Sequence, residues 1–120
     1  MVLQVYFGNG QSDKKTREWL VSHGIPYKEH RVKKDSLSKK ELKLLLTYTE
    51  NGLDDLIKRT VDSSRFDEMT LNQALDSLIK DPHPLRTPIL YDGKKMELGF
   101  HEEEIRCFIP HEMRMLAKIV

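Results

Sequence analysis

Few residues in this chain could carry covalent or acid–base chemistry, and their spacing limits what they could do. There is one cysteine, Cys107, so no intrachain disulfide and no multi-cysteine metal knuckle can form. It sits between Arg106 and Phe108 beside apolar residues, a setting that reads as packing. The five histidines, His23, His30, His83, His101 and His111, show no metal-ligand spacing, so neither metal nor cofactor is expected. Two places look more like a site. One is the polar loop Gly8-Asn9-Gly10-Gln11-Ser12-Asp13 before a predicted helix, where glycines and free N–H groups suit an anion. Lys14, Lys15 and Arg86 could add charge, but Asp13 puts a carboxylate at that helix start. An ordinary strand-to-helix turn is the favoured reading. The other place is Arg86-Thr87-Pro88, where a cis Pro88 would shape the surface facing Gly10.

The elements that position these residues follow from periodicity. Met1–Phe7 predicts a buried strand, and Ser12 or Asp13 predicts the cap of a helix over Asp13–His23 that ends at Gly24. Ile25-Pro26-Tyr27 opens a second strand to about Val32, making a βαβ unit with parallel pairing. The middle is helical. Ser36 or Ser38 caps a helix carrying Leu42, Leu45 and Leu46, and Gly52 reads as its C-cap or turn glycine. Leu53 to Val61 and Thr70 to Lys80 predict two more helices, separated by a polar break at Asp62–Arg65 and stopped at Asp81-Pro82-His83-Pro84. Ile89–Tyr91, an Asp92-Gly93 type I′ turn, and Lys95–Leu98 predict a hairpin, followed by a helix from about His101.

The expected fold is therefore α/β: a thioredoxin-like small mixed sheet (βαβ…ββα) with an inserted helical part. One domain of 120 residues is expected, with the sheet part at 1–35 and 85–120 and the helical part at 36–84. Hydrophobic content of 38% with 32% charged residues fits a solvated globule. A net charge of +1 argues against strong attraction to nucleic acid, so no direct sequence-specific binding is expected. No apolar run approaches about 20 residues, and the N-terminus lacks a charged leader region, which predicts a cytoplasmic protein without a membrane partner. It reads as a monomer. Basic residues gather at Arg31–Lys34 with Lys39, Lys40 and Lys43, and acidic ones at Asp54, Asp55 and Glu102–Glu104, so the molecule should be dipolar.

These residues also carry a family resemblance. Leu85-Arg86-Thr87-Pro88-Ile89-Leu90, Asp92, Lys94, Gly99, Glu103-Glu104-Ile105-Arg106 and Phe108-Ile109-Pro110 resemble the C-terminal block of the arsenate reductase-like (ArsC) family. Lys15, Arg17, Trp19, Leu20 and Ile25-Pro26 agree at the front. So do Leu37-Ser38, Glu41, Lys43, Thr49-Glu50 and Gly52 in the middle, and the whole is most similar to the Spx branch of transcriptional regulators.

The resemblance implies a cysteine or Cys-x-x-Cys at the first helix, where this chain has Gly10 and Asp13. Neither can form a disulfide or attack arsenate. The family's arginine before the proline is replaced by Thr87, with Arg86 one residue earlier, and another arginine would fall near Arg59 or Thr60. The resemblance further implies a partner, the C-terminal domain of the RNA polymerase α subunit, lying against the glycine matched by Gly52. The candidate partner-binding residues are Tyr48, Glu50, Asn51, Gly52 and Asp54, although Thr47 replaces an arginine of the branch. A redox-inactive regulator is expected. The alternative, an arsenate reductase-like or glutathione-linked thiol oxidoreductase, is disfavoured because the covalent intermediate needs a nucleophile that is absent.

Overall fold

Strand β1 (Leu3–Phe7) runs through the middle of a four-stranded sheet in the computed structural model, which describes residues 2–110. The order is β2-β1-β3-β4, with β2 at Tyr27–Arg31, β3 at Ile89–Tyr91 and β4 at Met96–Leu98. β1 and β2 pair in parallel from Leu3↔Tyr27 to Phe7↔Arg31, as the βαβ reading predicted. β3 is antiparallel to β1 (Val5↔Leu90) and to β4 (Leu90↔Glu97). The central strands are apolar because both of their faces are covered, whereas β2 at the edge reads Tyr-Lys-Glu-His-Arg and presents charge to water.

Period-two alternation divides the interior into two cores. Leu3, Val5, Phe7 and Leu90 point to one side, against Leu20 of helix α1 (Gln11–Ser22), Ile25, Ile105 and Phe108. Tyr6, Ile89 and Tyr91 point to the other. There they meet Leu42 and Leu45 of α2 (Lys39–Leu46) and, beyond the short α3 (Leu53–Leu56), Ala74, Leu75 and Leu78 of α4 (Leu71–Lys80). Both longer helices of this block start at capping boxes. Ser38 Oγ accepts from Glu41 N at 3.0 Å, and Thr70 Oγ1 from Gln73 N at 3.2 Å, while Glu41 and Gln73 reach back to the cap N–H groups.

Several expectations are corrected. α1 begins at Gln11, with Gly10 as N-cap, because Asp13 caps from three residues inside the helix. α3 stops at Leu56: Ile57 is extended and forms an antiparallel bridge with Leu85, so the helix cannot run on to Val61. The polar break contains a 3-10 turn, Ser63–Phe66, that buries Phe66. Gly52, with φ 70 and ψ −136, is a turn glycine and the N-cap of α3; its alternative reading as the C-cap of α2 fails, since α2 ends at Leu46 with Thr47 as its cap. The type I′ turn is not formed, since Asp92 does not take a positive φ. Its carboxylate instead accepts from Lys94 N and Lys95 N, both at 2.9 Å, and the positive φ falls on Gly93 alone. The helix predicted from His101 is a five-residue 3-10 segment, Glu104–Phe108. Its expected continuation, including His111, lies outside the described residues.

Tyr6 supplies a pH test of the second core. Burial first, then the Glu41 carboxylate that accepts its hydroxyl at 3.3 Å, pushes its phenol up to about 12. A raised pKa means the neutral phenol is favoured by folding. The contribution is complete below the unfolded value of about 10 and is lost as pH rises through the folded one. Denaturant unfolding of wild type should show stability falling across that alkaline window, and Tyr6→Phe should remove the Tyr6 share of the slope.

Candidate functional site: a sealed helix corner and an exposed turn

The loop between β1 and α1 is closed by its own side chain. Asp13 is 3% exposed, and each of its oxygens is used. Oδ1 accepts from Gly8 N at 2.9 Å, while Oδ2 accepts from Gly10 N at 2.9 Å and from the Thr87 hydroxyl at 3.1 Å. Thr87 precedes a cis bond to Pro88, which is buried beside it, so the first helix faces the proline segment as expected. Packing at this point is tight: a Cβ on Gly8 would lie 2.6 Å from Thr87 Oγ1. Gly10, Gln11 and Ser12 are exposed, and only Asp13 of the loop's candidates turns inward. A carboxylate thus fills the place where an incoming anion would meet those N–H groups.

In front of this corner lies an open cleft of about 910 Å³. Residues from five further segments line it, among them Lys34, Lys58, Arg59, Lys80 and Arg86, and backbone bonds tie together the segments that carry these cations. Asp35 N donates to Ile79 O at 2.9 Å, Lys58 N to Pro84 O at 2.9 Å, and Arg86 N to Leu56 O at 2.6 Å. Cys107 does not line the cleft; it packs at the edge of the α1-side core. Among the described residues no group of three or more His, Cys, Asp or Glu side chains could hold a metal ion, and no helix is long and apolar enough to cross a membrane.

The second candidate surface is the turn between α2 and α3. Glu50, Asn51 and Asp54 are exposed, and around Gly52 a Cβ would meet nothing within 4 Å. Asp55 holds the turn from inside the helix start: its carboxylate accepts from Glu50 N at 3.0 Å, Asn51 N at 2.9 Å and Asn51 Nδ2 at 3.2 Å. Those bonds, the Asn51 backbone bond foremost, hold its carboxyl below the usual aspartate range. Tyr48 is turned into the fold. Its hydroxyl donates to Gly93 O at 3.1 Å and lies 3.2 Å from Tyr91 Oη, with the rings edge to face at 5.0 Å. A smaller groove of about 320 Å³ adjoins the turn, between Glu50, Asp55, Arg86 and Glu97.

The model of the ArsC family matches residues 8–108, which is most of the chain and includes both surfaces. The chain belongs to the ArsC family. This ArsC-family chain is 40% identical to global transcriptional regulator Spx 1 of Lactococcus lactis, over 86% of its own length and 84% of that protein's. It is 38% identical to global transcriptional regulator Spx of Streptococcus mutans, over 86% and 79%. Among solved structures, an ArsC family related protein from Bacteroides fragilis superposes with a TM-score of 0.74 at 16% identity, covering 90% and 98% of the two chains. That likeness bears on the fold alone, and it agrees with the thioredoxin-like mixed sheet.

The ArsC-family chain thus brings Gly10, Asp13, Arg86 and Thr87 to one cleft, with Pro88 next in the chain, and leaves the Tyr48–Asp54 turn at an adjoining groove that Arg86 also lines. Two contributors escaped the sequence reading. Thr87 was placed beside the loop and read as standing where the family has an arginine, but its hydroxyl's bond to Asp13 was not foreseen. Asp55 was counted only as surface charge; its signal was an acid at the third helical position after a turn, the place from which a carboxylate caps.

Proposed function

We propose that this protein is a redox-inactive, Spx-like transcriptional regulator of the cytoplasm that docks on the C-terminal domain of the RNA polymerase α subunit. The docking surface is the turn from Tyr48 to Asp54, borne by the helical part at 36–84, with Gly52 at its centre. Glu50, Asn51 and Asp54 supply polar contacts, and Tyr48 sets the turn against the β3–β4 hairpin. One observation carries the redox-inactive half of the reading. The chain keeps 38–40% identity to Spx regulators, yet the helix corner that suits a reactive thiol is occupied by the triply hydrogen-bonded Asp13 carboxylate. A thiolate there would open thiol chemistry; a carboxylate holding three donors does not. The docking half draws support from Gly52, whose backbone suits only glycine and whose α-carbon faces open space for a partner's main chain.

The test is a titration of the folded protein with isolated polymerase α C-terminal domain, read by amide shifts. Shifts should centre on Glu50, Asn51 and Gly52. Gly52→Arg should weaken binding by about a hundredfold, as expected when a central contact is blocked. Because a side chain at that φ costs roughly 1–3 kcal/mol of local strain, Glu50→Arg, which leaves the glycine intact, is the companion variant and should weaken binding too. Shifts mapping elsewhere, or both variants binding like wild type, would contradict the proposal.

A further inference from the structure

The open cleft in front of Asp13 is not accounted for by docking at Gly52. It is lined by five cations, Lys34, Lys58, Arg59, Lys80 and Arg86, and by two carboxylates, Asp13 and Asp81. Asp13 is buried and fully engaged, and Asp81 Oδ1 accepts from His83 N at 3.3 Å. None of the five cations forms an ion pair within 4.0 Å of a carboxylate among the described residues. Arg86 also feels the Asp55 carboxylate of the adjoining groove, so the cleft's positive field rests mainly on the other four cations, gathered on concave walls where a low-dielectric surface focuses it. The volume of about 910 Å³ lies within the range of small-molecule sites.

We propose that this cleft binds a ligand carrying a chain of two or more phosphoryl groups, of the nucleoside di- or triphosphate class. A single oxyanion fits poorly. The N–H groups of Gly8 and Gly10 are already committed to Asp13, and that carboxylate repels an anion placed at the helix start. The positive charge lies further out and comes from four separate segments, held in place by the Asp35–Ile79 and Lys58–Pro84 backbone bonds. An extended polyanion spans such a set, and each charge-assisted contact adds to the last. Phe100, half-buried where it packs against the α1-side core, also lines the cleft and is the Phe, Tyr or Trp side chain there that a base could meet. Lys58 and Arg59, adjacent on the segment after α3, are the principal phosphate contacts.

The cleft shares Arg86 and His101 with the groove beside the Gly52 turn, but Lys58 and Arg59 line the cleft alone, so variants there test this proposal apart from docking. The experiment is an amide-shift titration of the full chain with ATP, tripolyphosphate, inorganic phosphate and a short DNA duplex at physiological salt. ATP and tripolyphosphate should bind saturably, with shifts around residues 34, 58–60 and 80–86, at least about tenfold tighter than inorganic phosphate. Shifts at Phe100 with ATP but not tripolyphosphate would identify a nucleotide as the source; equal affinities without them would identify condensed phosphate alone. Lys58→Ala with Arg59→Ala, at surface positions, should weaken binding by about tenfold or more, and Lys39→Ala with Lys40→Ala, outside the cleft, should not. Absence of saturable small-ligand binding, equal affinity for inorganic phosphate, indifference to the Lys58/Arg59 change, or binding of the duplex alone would each overturn the proposal.

Discussion

Asp13→Ala should lower the unfolding free energy by about 3 kcal/mol, close to the largest loss available from one polar side chain in this protein. The substitution leaves Gly8 N, Gly10 N and the Thr87 hydroxyl without their acceptor in a corner that is 3% exposed at its centre. Bonds to a charged acceptor contribute about 1.5–3 kcal/mol each, and water entering the vacated space recovers part of that. The midpoint of thermal unfolding should fall by roughly 10 °C for a chain of this size. Asp13→Asn should recover only part, because its amide NH₂ would face donors. Thr87→Val removes one donor and keeps the shape, and should cost only about 1 kcal/mol. Hydrogen exchange at Gly8 and Gly10 should accelerate in Asp13→Ala before the rest of the sheet. An unchanged midpoint with unchanged protection there would show that the corner is held by something else.

Leu45→Ala should cost about 3 kcal/mol, within the usual range for a buried leucine whose cavity cannot collapse. Leu45 is 1% exposed on α2, in the core that α2 and α4 share with Tyr6, Ile89 and Tyr91. It also stands at the end of the helix that leads into the Tyr48–Asp54 turn, and its carbonyl accepts from Tyr48 N at 3.1 Å. The loss should therefore appear twice. Global denaturant unfolding should shift to lower concentration, and amide protection from Tyr48 to Gly52 should fall more than protection in β1. Equal loss in both places would mean that the turn is not held through α2.

The strands and most helices could be read from the sequence because their signals are local. The apolar, aromatic run at Leu3–Phe7, the Ser38 cap, the leucine stripe of α4 and the Gly24 stop after α1 all lie within a few residues of what they control. What escaped was decided at a distance. Asp13 was read as a helix-start charge, but the hydroxyl that completes its site is 74 residues away, at Thr87. α3 is cut short by a bridge from Ile57 to Leu85, which no periodicity in 53–61 announces. The Asp92 side chain took both N–H groups of its turn and so overrode the backbone preference of the dipeptide. Of the cleft cations, Arg86 and Arg59 were singled out in the sequence one at a time and Lys34 only within a basic stretch, while Lys58 and Lys80 gave no signal; only the folded chain sets the five on shared walls.

The most direct measurement is the affinity of this protein for polymerase α C-terminal domain in matched oxidising and reducing buffers, for wild type and Cys107→Ser. The account predicts saturable binding through the Gly52 turn with the same dissociation constant in both buffers and both proteins. No binding, or an affinity that changes with the buffer, would contradict it.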